Sequence, residues 1–236
     1  MNRLNIYLII LAMYSCISIA GAVEVSYPAP DNPNKNEKYL FYLHGISVEL
    51  HGPDSWSETF DKKYEYTKIV KEFLGRGYNV VSEARSGGTK PLYYAIDTAE
   101  QINELLEQGV LGKNIAVVGH SRGAFMSLMI RPRVSDPSVN IVAMAGCAQK
   151  GTTSVAGVNP RKGYNVFLRK KASDLHGRFL SIYDSSDEWF GTCQEAFELA
   201  DDLQAKEIVL KTGEGHGLFL DADPAWVDPV IKWIGW

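Results

Sequence analysis

The strongest constraint on how this chain can fold is the stretch Asn114–Leu128. Asn114-Ile-Ala-Val-Val118 is a short β-branched and apolar run, which predicts a strand buried on both faces. Ala124, Met126, Leu128 and Met129 then open an apolar-faced helix. Between them stands Gly119-His-Ser-Arg-Gly123, a G-x-S-x-G pattern in a strand–turn–helix setting. So sharp a turn holds its middle residue in a strained conformation. Both flanking positions must lack Cβ so that strand and helix can approach each other. The Ser121 hydroxyl then stands over the first N–H groups of a helix, where negative charge is favoured.

The 236 residues, 45% hydrophobic and 22% charged, suffice for one domain with a full core. A net charge of -4 and a pI near 5.8 give no electrostatic footprint for a nucleic-acid partner. Arg3, the apolar run Leu8–Ile19 and Ala20-Gly21-Ala22 have the pattern of a secretory signal, residues 1–22, cleaved by an A-x-A site. The expected location is therefore secreted or periplasmic, with residues 23–236 as the folded domain and no integral span after signal removal. An uncleaved N-terminal anchor and a lipidated Cys16 are the alternatives.

Downstream, short apolar strands alternate with amphipathic helices. Strands are predicted at Lys38–Leu43, Tyr78–Ser82, Asn114–Val118, Asn140–Ala145, Arg178–Tyr183 and Lys206–Lys211, after a Pro-rich arm holding at most one short edge strand. Ile46–Asp54 reads as a loop. Ser55-Trp-Ser-Glu58 has capping-box spacing before a helix carrying Phe60, Tyr64, Thr67, Val70 and Phe73. A second helix runs over Leu92–Leu106 and another lies around Gln194–Leu203. Asp223-Pro224 opens a closing helix. The alternation predicts a mostly parallel sheet of about six strands with helices on both faces, and functional groups just beyond the strands' carboxyl ends.

Read at those ends, Ser121 follows one strand, Asp184 and Asp187 the next but one, and His216, within Gly213-Glu-Gly-His-Gly217, the last. Ser, then acid, then His is the chain order of the α/β-hydrolase triad, and from Lys38 onward the chain resembles a small serine hydrolase of that family. The resemblance implies the three-layer α/β-hydrolase fold with a minimal cap. It makes Ser121 the nucleophile, His216 the base, and Asp187 the acid in preference to Asp184, which is otherwise a turn-maker. It implies oxyanion donors at the N–H groups of Arg122 and of Ile46, the latter after the His44-Gly45 element. His44, Arg85 and Trp189 are the expected substrate-binding side chains, and His120 is expected to point to the opposite side of the elbow with a structural role.

The function implied is acyl transfer from a small-molecule ester-like substrate to Ser121 and then to water. A peptidase or lactonase on the same triad and a non-catalytic binding protein of the same fold are the alternatives. No cofactor or metal site is expected, because the histidines are scattered and the cysteines lack ligand spacing.

Three further expectations follow. About thirty residues between Ala145 and Arg178 leave room for one helix and a loop, hence an open, shallow site. Cys147 and Cys193 either pair, pinning the loop that carries Asp187, or remain free. Lys150, Arg161, Lys162, Arg169, Lys170 and Lys171, with Arg85, Lys90 and Arg122, either converge on an anionic substrate or form a solvated surface.

Overall fold

The computed structural model describes residues 25–235. The expected signal over residues 1–22, with its anchor and Cys16 alternatives, lies outside the described residues.

Seven parallel strands form the central sheet: β1 (Val25–Ser26), β2 (Tyr39–Leu43), β3 (Asn79–Val81), β4 (Ile115–His120), β5 (Asn140–Met144), β6 (His176–Asp184) and β7 (Asp202–Leu210). Their order is β1-β3-β2-β4-β5-β6-β7. Six were expected, and the seventh is the two-residue edge strand of the Pro-rich arm. Every residue of β2, β4 and β5 is buried, as their unbroken apolar runs require.

The helices are α1 (Ile46–His51), α2 (Tyr66–Gly75), α3 (Pro91–Glu107), α4 (Arg122–Ile130), α5 (Pro160–Lys170), α6 (Gln194–Phe197) and α7 (Pro224–Ile234). From β2 the chain moves to β3 on one side, then crosses back to β4 on the other. With right-handed crossovers, that reversal sends α2 to one face and α3 and α4 to the other. On the α2 face Phe73 meets Trp226 of α7, ring centres 6.3 Å apart. The reversal lies between β2 and β4, where the register sets Leu43 beside Gly119. The carboxyl ends of β2 and β4 therefore open on one crevice.

Three expectations about elements are corrected. Ile46–Asp54 is not all loop: Ile46–His51 is helical, held by burial of Val48 and by the ion pairs of Glu49. Ser55–Glu58 caps nothing, because Trp56–Ser57 pairs antiparallel with Lys62–Lys63. Helix α2 starts only at Tyr66, with the Asp54 side chain accepting from the Thr67 N–H at 3.1 Å. Finally, α6 ends at Phe197 and β7 begins at Asp202, since nine residues of β7 pair with β6.

Between β5 and β6 the cap is minimal, a single α-helix (α5) after a Val155–Val158 bridged turn. Cys147 and Cys193 are joined in a disulfide, Cα atoms 5.3 Å apart. Beside it Cys147–Ala148 pairs antiparallel with Phe190–Gly191, so the cap's entry and the segment after Asp187 form one structure.

Candidate active site

Ser121 follows β4 with φ 55° and ψ -115°, a region that a non-glycine residue occupies only under strain. Both flanking glycines are obligatory. A Cβ on Gly119 would overlap the Gly123 carbonyl, and one on Gly123 would overlap the Leu43 carbonyl. The turn anticipated from G-x-S-x-G is therefore present, with Ser121 at its apex and α4 beginning at Arg122.

The two acidic candidates have separate surroundings. Asp187 Oδ2 lies 2.7 Å from His216 Nδ1, and its Oδ1 accepts from the Trp189 and Phe190 N–H groups at 2.9 and 3.0 Å. A carboxylate only accepts, so His216 carries its proton on Nδ1 and leaves Nε2 basic. Asp184 instead accepts four hydrogen bonds, from the N–H and hydroxyl of Ser186 and of Thr212, which tie the loops after β6 and β7 together. Burial alone would raise the Asp184 carboxyl, but these bonds outweigh it and bring it down to about 2.

His216 is buried on a 3₁₀ turn, Gly215–Leu220. Phe190 and His120 lie 4.8 and 4.9 Å from it, with Phe60 and Trp189 within 6 Å, centre to centre. His120 thus faces the site, correcting the expectation that it points away. With Ser121, Ile46, Trp189 and His216 it lines a cleft of about 170 Å³. Its Nδ1 is 3.1 Å from the Tyr64 hydroxyl, which also meets the Tyr42 hydroxyl at 3.1 Å and accepts from the Gly45 N–H at 3.0 Å. One arrangement leaves fewest polar atoms unmet: Tyr42 donates to Tyr64, and Tyr64 to His120 Nδ1. The His120 proton is then on Nε2, the buried atom left without a partner. Burial, followed by the neighbouring His216 and His44, holds His120 far below the usual imidazole range, so it stays neutral beside His216.

Gly45 lies against the elbow; a Cβ there would stand 3.4 Å from Ser121 Cβ. Ile46 and Arg122 are the first residues of α1 and α4, so their N–H groups lack intrahelical partners. The two helices are tied by Glu49, whose carboxylate pairs with Arg85 Nε and Arg122 Nε, each at 3.1 Å.

Two of the three expected substrate-binding residues are corrected. His44 is fully buried, accepting the Arg85 N–H on Nε2 at 2.8 Å and donating from Nδ1 to the Gly45 carbonyl at 2.8 Å. Arg85 is buried behind it, with its guanidinium on the His44 carbonyl and Glu49. Both shape the loop rather than face a ligand, whereas Trp189 does line the cleft.

The convergent-charge expectation fails at its centre for the same reason: Arg85 and Arg122 share Glu49, while Lys150 and Arg161 share Glu195. Glu49 and Tyr64 were missed from sequence. The only available signal was the Ile46–Glu49 spacing, one helical turn after His44-Gly45, and Tyr64 carried none. Among the described residues, no group of three His, Cys, Asp or Glu side chains is placed to hold a metal, and no helix is long and apolar enough to cross a membrane.

No protein-family model matches the chain, and no curated protein does. Solved structures do. A lipase-esterase related protein from Clostridium acetobutylicum is similar with a TM-score of 0.53 at 15% identity, over 85% of this chain and 96% of that one. The monoacylglycerol lipase of Paleococcus ferrophilus has a TM-score of 0.53 at 12% identity, over 84% and 93%. An alpha/beta hydrolase enzyme from a Medee basin deep-sea metagenome library has 0.50 at 14%, over 84% and 83%. Together with the parallel sheet and its helical layers, these likenesses establish that the chain has the α/β-hydrolase fold.

Proposed function

We propose that this protein is an exported serine hydrolase that cleaves an ester-like acyl substrate through an acyl-enzyme. The observation that carries the reading is the strained Ser121 sharing one cleft with His216, which is itself held at 2.7 Å by Asp187. In this reading His216 Nε2 takes the Ser121 proton as Oγ bonds to the acyl carbon. His216 then returns that proton to the leaving alkoxide as the ester C–O bond breaks, and water repeats the sequence to release the acid. Asp187 holds the Nδ1–H tautomer and balances the imidazolium. The Ile46 and Arg122 N–H groups bind the oxyanion. Export is supported by the leader pattern and by the Cys147–Cys193 bond, a linkage that persists in oxidising compartments.

The test is labelling with a fluorophosphonate probe, followed by turnover of p-nitrophenyl esters. Ser121 should be labelled, and Ser121→Ala or His216→Ala should each lower kcat by about 10⁴-fold or more, with little added by combining them. Asp187→Asn should cost less than either but more than Asp184→Asn. A chain that neither reacts with the probe nor turns over any ester is a binding protein of this fold. A lactonase or peptidase would be labelled too, but would favour lactones or peptides over esters.

A further inference from the structure

A second cavity, of about 300 Å³, opens beside Ser121 and runs from Ile46 and Arg122 to the underside of α5. Its walls are Phe125 of α4, Phe190, Val155 and Val158 of the bridged turn, and the bare Cα faces of Gly146 and Gly163. Residues of the Val155–Val158 turn and of α5 complete its lining, so even this short cap contributes walls to the space beside Ser121.

Among the residues lining it Arg122 alone carries a charge, and that charge is engaged. Its Nη2 donates to the Thr89 carbonyl at 2.5 Å, and its Nε pairs with Glu49. The nearby Arg161 is held by Glu195 at 2.7 Å and by the Ala148 carbonyl at 2.8 Å. A carboxylate entering this space would lose its water and meet no free cation. An acetyl group would leave most of it empty. At about 30 Å³ for a group the size of a water molecule, the cavity takes on the order of six to ten carbons.

Resting on the hydrolase reading above, we infer that this cavity is the acyl site, and that the substrates carry uncharged apolar acyl groups of about six to ten carbons, straight, branched or with one aromatic ring. The two candidate oxyanion donors border the same cavity as Ser121, so an acyl carbonyl at the serine directs its chain inward. Each buried methylene should raise kcat/KM by about fourfold until the cavity is full.

The test compares p-nitrophenyl acetate, butyrate, hexanoate and benzoate with the mono-p-nitrophenyl ester of adipic acid, a hexanoate with a terminal carboxylate. Hexanoate, four methylenes longer than acetate, should exceed it by about 250-fold in kcat/KM, and the adipate ester should fall at least tenfold below hexanoate at both low and high salt. A Cβ on Gly163 would meet only the Phe125 ring, at an ordinary 3.6 Å, so a side chain can start there without a backbone clash, and Gly163→Phe takes up cavity volume. It should lower the ratio of hexanoate to acetate kcat/KM at least tenfold. Val158 is 41% exposed on its turn, and Val158→Trp, the second variant, should act in the same direction without disturbing the fold.

A protein labelled at Ser121 that prefers acetate, accepts adipate as well as hexanoate, or keeps its chain-length profile in both variants overturns the acyl assignment and leaves the hydrolase intact. Absence of both labelling and turnover refutes the hydrolase reading instead.

Discussion

Glu49 governs the charge balance behind the site. Its side chain is 2% exposed and that of Arg85 is 1% exposed, so neither is stabilised by water. One carboxylate serves two guanidiniums and connects α1, whose first N–H is a candidate oxyanion donor, with α4, whose first N–H is the other. Glu49→Gln keeps the volume and removes the charge, stranding Arg85 in a dry interior. Breaking a buried pair from one side costs about 3–5 kcal/mol. The variant's urea midpoint should drop accordingly, whereas a change under about 1 kcal/mol would show that the two arginines find other partners.

At the scale of elements, the site is assembled where separate loops are fastened to one another. The loop after β6 presents Asp187, and the loop after β7 leads to His216. Asp184 fastens the two through Ser186 and Thr212. Its carboxyl sits at about 2 in the folded chain, below an ordinary value of 3.8. A depressed carboxyl contributes stability that is present above its unfolded value and lost as pH falls through the folded one. The contribution is thus full at neutral pH and fades between about pH 4 and pH 2. Asp184→Asn should be clearly less stable than the parent at pH 7, with the gap shrinking as pH drops below 4. Urea midpoints at pH 7, 4 and 3 measure this, and a gap independent of pH would contradict the assignment. Because Asp184 holds the loops and not the imidazole, this variant should retain more activity than Asp187→Asn.

For the whole molecule, the Cys147–Cys193 bond closes a separation of 46 residues that includes the cap and the segment bearing Asp187. A cross-link over such a loop contributes about 2–4 kcal/mol. The double Cys147→Ala, Cys193→Ala variant should therefore melt roughly 5–15 °C lower, given about 2–4 °C per kcal/mol for a domain of this size. Thiol titration of the denatured, non-reduced chain spanning residues 23–236 should find no free thiol; two would remove the bond from the account.

The limits of the sequence follow from the range of the forces involved. Strand positions, the closing helix and the Ser121 turn were legible because each is set by local steric rules or by unbroken apolar runs. Of the G-x-S-x-G glycines, Gly119 is fixed within the motif by the Gly123 carbonyl, whereas Gly123 is fixed by the Leu43 carbonyl of β2. The N-cap of α7 is written in Asp223-Pro224, whose aspartate accepts the Ala225 N–H at 2.7 Å. What sequence spacing left open depended on partners far along the chain. Asp184 and Asp187 stand three residues apart in one turn, and only the packing of the loop after β7 put His216 on the second and Thr212 on the first. Helix α1 is held in place because Glu49 meets Arg85 from the loop after β3 and Arg122 at the start of α4, and Tyr64 left the helix pattern to join Tyr42, Gly45 and His120 in the core. The basic residues likewise looked convergent until folding supplied Glu49 and Glu195. Hydrophobic periodicity and turn sterics act within a few residues and can be read along a line; a buried charge or hydroxyl is placed by whatever partner the fold brings to it, and that is settled only in three dimensions.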